Sequence, residues 1–295
     1  MREGRASLTA LAVAAARALR ADAPGGVLRP CSGDTLARRV LPGPLACPIA
    51  WMGPVRPVSA FLLSKLSLGL VDHVALRSAR IDALIDDWVT GLLGQEPQLV
   101  VLGAGLDTRA HRLGSTAGLR VFEVDHPDSQ RVKRARARGL PVVARALSYV
   151  DLDLTGPSLA ARLAKTGHDP GQPSFWVMEG VAPYLSHEAL AGILTDVVAR
   201  SSAGSALALT YVTPDLAWLR RLPAFSEFTM NLIGEPVGGR YEPAAMRELL
   251  TDRGLRVERD EDTHDWARAA GVALPRLAYE RMAFARSGPT AASRP

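Results

Sequence analysis

The sequence predicts a doubly wound α/β fold, a mostly parallel sheet with helices on both faces, and three observations carry that expectation. Short strand-like segments alternate with helical ones from Gln98 onward. The segments Gln98–Leu102 and Ser174–Met178 are continuous apolar runs rather than alternating ones, the pattern of strands buried on both faces. The first of them runs into Gly103-Ala104-Gly105 and then a helical stretch, the layout of a βα unit that meets a ligand at the carboxyl end of its strand.

The elements follow in order. From Met1 to about Gln95 the pattern is helical, with Leu8, Leu11, Ala12, Ala15 and Leu19 at helical spacing. Arg2 and Arg5 before the apolar stretch Ala6–Ala16 imitate an export signal, but Arg17 and Arg20 interrupt it and no small-residue cleavage region follows. The Pro/Gly-rich stretch Leu41–Pro57 reads as an ordered loop or lid element. Strands are expected at Gln98–Leu102, Leu119–Val124, Pro141–Leu147, Ser174–Met178, Ser205–Val212, Leu255–Glu258 and Ala278–Ala285. Helices are expected at Pro127–Arg138, His187–Arg200 and Glu242–Arg253. Pro214–Gly239 looks inserted, and Ser287–Pro295 reads as a disordered tail. This divides the chain into a helical cover (1–95), a ligand-binding domain (96–286) with an inserted lid (214–239), and a tail (287–295).

Composition narrows the function classes. With 295 residues, 47% of them hydrophobic, the chain can bury a substantial core. The net charge of +5 is modest and spread along the chain, so it argues for no nucleic-acid partner and fits an acidic small molecule equally well. Cys31 and Cys47 have neither metal nor redox spacing, which favours a reduced, cytoplasmic protein without a metal site. No run of about 18 apolar residues occurs, so no membrane-spanning helix is expected.

Chemistry is sought just after each strand. Gly103 and Gly105 permit a tight turn and close approach of a ligand, although a G-x-G after a strand also suits a ligandless turn. A dinucleotide fingerprint wants a third small residue where Thr108 stands, and its pyrophosphate wants a helix N-terminus that Asp107 would oppose. A zwitterionic amino-acid moiety tolerates that carboxylate, which points away from NAD and toward S-adenosylmethionine. Asp125, ending VFEVD, can accept hydrogen bonds from a ribose diol, or simply cap the helix at Pro127. Asp151 can take an adenine amino group while Leu152 offers a backbone amide; a solvated turn aspartate is the alternative. Glu179 follows an apolar run, so it is expensive unless paired with an arginine or facing a cationic ligand. His187, opening a helix, is the candidate general base or a surface histidine, and Tyr184 is the second catalytic candidate. Tyr211 and Asp215 also follow a strand. The run Arg131, Lys133, Arg134, Arg136 and Arg138 spreads around more than one helix face and reads as a solvated surface.

Several motifs in one order resemble the leucine carboxyl methyltransferase family, in its actinobacterial branch. They are SLTALAVAAARA near the start, DTLARRVL at Asp34–Leu41, R-S-A-R-I-D at Arg77–Asp82, then VVLGAGLDTRAHRL, VFEVDHP, VDLDL and MEGVAPYL. The resemblance runs from about Ser7 to Arg286. It implies a class I methyltransferase fold with a seven-stranded sheet and S-adenosylmethionine as cofactor. It also implies in-line displacement of the methyl group by an oxygen of a small-molecule acceptor, of the kind met in secondary metabolism. By the family pattern Arg77 grips the cofactor carboxylate, with Arg80 as second choice. Gly103 and Gly105 form the turn, Asp125 is the ribose acid, Asp151 and Leu152 flank the adenine, and Glu179 is the acid after the fourth strand. A basic residue of the N-terminal segment that reaches the cofactor in some relatives maps to Arg38, with Arg39 beside it. Pro183 departs from the family, where many members carry an apolar non-proline residue. Alternatives from the same reading are a non-catalytic cofactor-binding regulator and a methyltransferase of a protein C-terminal carboxylate.

Overall fold

The computed structural model describes residues 8–21, 34–42, 70–92, 95–156, 158–214, 239–272 and 280–288. Among the described residues, three helices precede the sheet: α1 (Leu8–Arg20), α2 (Ala37–Val40) and α3 (Leu70–Thr90). The alternating part runs β1 (Gln98–Leu102), α4 (Arg109–Arg112), β2 (Arg120–Asp125), α5 (Pro127–Ala137), β3 (Ala146–Asp151), α6 (Leu159–Lys165), β4 (Ser174–Met178), α7 (His187–Ala199) and β5 (Ala206–Tyr211). It closes with α8 (Pro243–Thr251), β6 (Leu255–Asp262), α9 (Thr263–Ala270) and β7 (Arg281–Ser287).

The seven strands lie in the order β3-β2-β1-β4-β5-β7-β6. Neighbours from β3 to β5 are parallel, and β7 runs antiparallel to both β5 and β6. The expected doubly wound, mostly parallel seven-stranded sheet is therefore what forms. After β1 the chain winds outward through β2 and β3, then returns to place β4 on the other side of β1. That reversal opens a crevice at the carboxyl ends of β1 and β4.

Alternate residues of each central strand feed two cores. Val100, Leu102, Trp176 and Leu207 pack with Leu163, Leu190 and Leu250 of α6, α7 and α8. Leu99, Val101, Phe175 and Val177 pack with Ile81, Leu84 and Trp88 of α3 and Trp266 of α9. A third cluster joins Ala14, Ala18 and Val40 of α1 and α2 to Leu106 and Leu140, which seats the N-terminal helices over the end of β1. Local signals start the helices: Ser158 and Ser186 accept from the amides of Ala161 and Ala189. Among the described residues no helix is long and apolar enough to cross a membrane.

Four expectations need correction. The strand expected at Pro141–Leu147 lies at Ala146–Asp151, because the amides of Val143 and Ala144 donate to Ala110 O instead of joining the sheet, and Val142 is 52% exposed. β6 extends past Glu258 to Asp262; as an edge strand it carries charged, half-exposed side chains that hide it in the sequence. α9 was not expected, although Asp262 and Asp265 form a capping box at its start. The last strand begins at Arg281 rather than Ala278 and includes Ser287, which pairs with Leu255 instead of opening a tail. Residues 278–279 and 289–295 lie outside the described residues, as do 43–57 of the expected loop and 215–238 of the expected lid.

The two ends of that expected lid are nevertheless fixed. Tyr241 N donates to Val212 O at 3.0 Å, and Gly239 N to Pro183 O at 3.0 Å. A Cβ on Gly239 would come within 2.6 Å of Ala182 O, so only glycine seats the chain there.

Candidate active site

A cavity of about 770 Å³ fills the crevice, a size suited to a nucleoside-bearing ligand. Its walls are the chain segments that follow β1 (Gly103–Asp107), β2 (Asp125–Ser129), β3 (Leu152–Thr155) and β4 (Glu179–Leu185). Ala10, Val13 and Arg17 of α1, Arg77 of α3, Val212 and Glu280 complete it.

The turn after β1 sets its floor. Gly103 and Gly105 have φ of +64° and +50°, a conformation that disfavours side chains. A Cβ on Gly103 would collide with Val181 Cγ2, and one on Gly105 would stand 3.1 Å from Ala10 Cβ. Both glycines thus answer to protein neighbours. Gly105 lets the cover helix α1 lie directly on the turn.

A buried charge network stands behind this floor. Arg109, with no exposed surface, reaches Asp82 at 2.6 Å, Asp107 at 2.5 Å and Glu179 at 2.8 Å through its three guanidinium nitrogens. Burial alone would raise the Asp107 carboxyl, but Arg109, then Arg17 and Lys133, outweigh it and hold it below the ordinary range. This corrects the electrostatic argument made from Asp107: its charge is balanced, so it opposes an anion less than a bare carboxylate would. The geometry supplies another reason against a pyrophosphate. α4 has only four residues and offers no extended helix N-terminus.

The expected cofactor residues take distinct positions. Asp125 lies in the wall, with Oδ2 accepting from Gly105 N at 2.5 Å and Oδ1 from His126 N at 2.7 Å. Burial pushes its carboxyl up, and the Gly105 and His126 amides draw it partly back. Arg77 also lines the cavity, donating to Glu179 at 3.0 Å and Glu280 at 2.6 Å. Arg80 instead makes a two-pronged bond to Glu261 and stands outside the lining. Glu179 faces the cavity but is held by Arg77, Arg109 and the Ser78 hydroxyl. Burial works against its charge, yet Arg109 and Arg77 keep its carboxyl well below the usual range. The arginine-paired reading of Glu179 is therefore realised, and its charge is already committed before any cation enters.

Other expectations are displaced. Asp151 pairs with Arg134 at 2.8 Å and lies outside the lining; Asp153, two residues on, takes the wall position. The strand β3 starts later than expected, so the chain passes the cavity later. Leu152 lines the cavity, but its amide donates to Asp125 O at 2.8 Å and is not offered to a ligand. Arg38 sits half-buried on α2, outside the lining; the N-terminal cation in the wall is Arg17. Tyr184 lines the cavity after β4 with Val181, Pro183 and Leu185, and Val212 follows the adjacent β5, whereas Asp153 follows β3 on the other side of β1. His187 is exposed, its ring 6.1 Å from that of Tyr241, and does not reach the cavity. Asp215 lies outside the described residues, and Tyr211 is buried against Asp260.

Sequence reasoning missed Arg17, Glu280 and Asp153 as wall residues, and Arg109 as the hub. Arg17 carried a signal: it is a charge on the buried face of α1, beside Ala14 and Ala18. Glu280 carried none, because its role depends on β7 returning beside β5. Its carboxyl is set against burial by Arg77 and His73, which bring it down to about 2.

Comparison with known proteins shows the family and the fold. Residues 10–198 match the family model of leucine carboxyl methyltransferase. A Frankia alni protein named "Putative S-adenosyl-L-methionine-dependent methyltransferase" is 39% identical over 56% of this chain and 60% of its own, so the chain spans less than two thirds of that relative. A protein of the same name from Saccharopolyspora erythraea is 33% identical over 86% of this chain and 84% of its own length. The solved structure of a DUF574 family protein from Streptomyces avermitilis superimposes with a TM-score of 0.59 at 18% identity, covering 79% of this chain and 91% of that one, a likeness of fold.

Proposed function

The chain belongs to the leucine carboxyl methyltransferase family, and on that premise we propose that it transfers the methyl group of S-adenosylmethionine to an oxygen of a small acceptor, a carboxylate before a phenol. The observation that carries the reading is Asp125, a carboxylate in the cavity wall at the end of β2, tied to the Gly105 amide of the turn. Each of its oxygens keeps a lone pair for a ribose hydroxyl while accepting one amide.

The residues present fit the cofactor. Asp107, Glu179 and Glu280 of the wall are already matched to Arg77 and Arg109, which leaves Asp125 and Asp153 as wall carboxylates that can accept from a nucleoside. The cofactor supplies an electrophilic methyl group on a sulfonium. Asp125 would hold its ribose, and the stretch Leu152–Thr155 would flank its base. Ala10 and Val13 of α1 cover the cavity and exclude water. The apolar wall that follows β4 and β5, Val181, Pro183, Leu185 and Val212, would receive the acceptor, with the Tyr184 hydroxyl as a donor to orient it.

Among the described residues no histidine besides His126 lines the cavity, and His126 belongs to the ribose side after β2. An acceptor that arrives already ionised needs no base, whereas a phenol of pKa about 10 normally does. This is what favours a carboxylate.

Two measurements test the proposal. Asp125→Ala should weaken binding of S-adenosylhomocysteine by about 1–3 kcal/mol in calorimetry, through lost charge-assisted hydrogen bonds. Unchanged affinity in a folded variant would remove Asp125 from the site. Once an acceptor has been found by conversion of labelled donor, the saturated rate should stay flat between about pH 6 and 9, and His187→Ala should stay within a few-fold of the parent. A rate that climbs with pH, with a base-stable product, would replace the carboxylate by a hydroxyl.

A further inference from the structure

A buried imidazole stands behind the cavity wall. His73, on α3, is 1% exposed, and Thr263, the first residue of α9, has no exposed surface. His73 Nδ1 lies 2.9 Å from Thr263 Oγ1, and Nε2 faces Glu280 Oε2 at 3.5 Å. Trp266 of α9 covers the ring, the two centroids 5.5 Å apart. Neither His73 nor Thr263 lines the cavity, whereas Glu280 and Arg77 do. Burial lowers the His73 pKa against the pull of Glu280, with Arg77 and Glu179 the other charges that face it, so the ring is neutral at neutral pH. A carboxylate only accepts. The proton of a neutral ring therefore belongs on Nε2, and Nδ1 accepts from the Thr263 hydroxyl. Glu280 Oε2 in turn takes Arg77 Nη1 at 2.6 Å, while Glu179 takes Arg77 Nε at 3.0 Å. Two of the three guanidinium nitrogens are thereby fixed, and Nη2 is the one left for a ligand.

We propose that His73 is a positioning residue: held by the Thr263 hydroxyl as the Nε2–H tautomer, it fixes Glu280, and through Glu280 the Arg77 guanidinium that meets the ligand. This rests on the reading of the ligand as S-adenosylmethionine, whose amino-acid carboxylate is the anion that an arginine matches. The relay matters because an arginine already set in one rotamer loses less freedom when the ligand arrives. With the other tautomer a lone pair of Nε2 would face the carboxylate, and Glu280 would turn away and take Arg77 with it. The relay also ties the cavity to the edge of the sheet, since the capping box of Asp262 and Asp265 starts α9 at Thr263 itself.

The test reads the ring and the ligand separately on the full chain. Nitrogen NMR of the His73 imidazole should show the Nε2–H tautomer in the parent and lose it in Thr263→Val, which keeps the shape and removes the hydroxyl. In calorimetry, Thr263→Val should bind S-adenosylhomocysteine roughly 3–10-fold more weakly and keep methylthioadenosine, which lacks the amino-acid moiety, within about two-fold. Thr263→Ser should restore both readings. If the valine variant does not fold, His73→Gln, which keeps a donor for Glu280, should hold the parent's preference for S-adenosylhomocysteine, and His73→Leu should lose it. An Nδ1–H tautomer in the parent, or an equal loss for both ligands, would overturn the inference and leave His73 a core histidine. Failure of the parent to bind either ligand would overturn the cofactor reading and this inference together. A parent that binds them, with its preference intact in folded Thr263→Val, would overturn the relay alone.

Discussion

Arg109→Met should destabilise the protein by about 3–5 kcal/mol at neutral pH, measured by urea unfolding with circular dichroism. The change removes the one group that Asp82, Asp107 and Glu179 share, inside a site with no exposed surface at the arginine. The loss comes from stranding the Asp107 carboxylate and leaving Glu179 and Asp82 with one arginine each, Arg77 and Arg112, rather than from the worth of three attractive contacts. Arg109→Lys should recover little, because a point charge cannot reach three acids held around a planar fork. The pH dependence separates charge from packing. In the parent, the Asp107 and Glu179 carboxyls are held low, so their contribution is present above the unfolded value near 4 and fades as pH falls toward the folded one. In the variant those carboxyls lose their main cation and rise, so protonation costs the variant less. The gap between parent and variant should shrink as pH drops below about 4.5. An equal deficit at pH 4 and pH 7 would assign the loss to packing.

A second large effect is expected on the neighbouring strand. Lys133 and Glu123 are each 1% exposed and meet at 2.7 Å beneath the turn, where Lys133 also donates to Asp107 O at 2.5 Å. Burial raises the Glu123 carboxyl against the pull of Lys133, and its second oxygen has no hydrogen-bond partner. Lys133→Met alone should cost about 3–5 kcal/mol by leaving that acid unpaired. Lys133→Met with Glu123→Met should be far milder, because replacing a buried pair by apolar residues is often neutral; the lost bond to Asp107 O limits recovery by about 1 kcal/mol. Unfolding free energies that simply add would show that the two side chains do not act as a pair.

The sequence made the sheet legible where burial is symmetric. β1 and β4 are buried at every position, so an unbroken apolar run marks them from end to end. Edge strands carry no such mark. β3 is mostly half-exposed and β6 reads RVERDED, so the pattern sent the first to an adjacent valine pair and cut the second short. Cavity-wall residues at strand ends were legible for the same reason the strands were: Asp125 ends β2 and Glu179 follows β4 directly. Asp151 slipped with the misplaced β3. Arg17 and Glu280 depend on contacts between segments far apart in the chain, and local spacing encodes nothing of those. His187 was drawn in by nearness in sequence to Glu179, but this part of the wall ends at Leu185, and α7 begins two residues later outside the lining.

The anchoring of Gly239 and Tyr241 bears on how such a protein diversifies. Val212 and Tyr241 are joined through their backbones, and Gly239 is fixed against the carbonyls of Pro183 and Ala182. None of these fastenings uses a side chain of residues 215–238. A chain of another sequence between the posts would keep these fastenings, since they are made by backbone groups of described residues. The turn after β1 has no such freedom, since a methyl group at Gly103 already strikes Val181. Descendants of one ancestral gene are thus expected to drift apart in the replaceable cassette while the chassis that carries it stays recognisable.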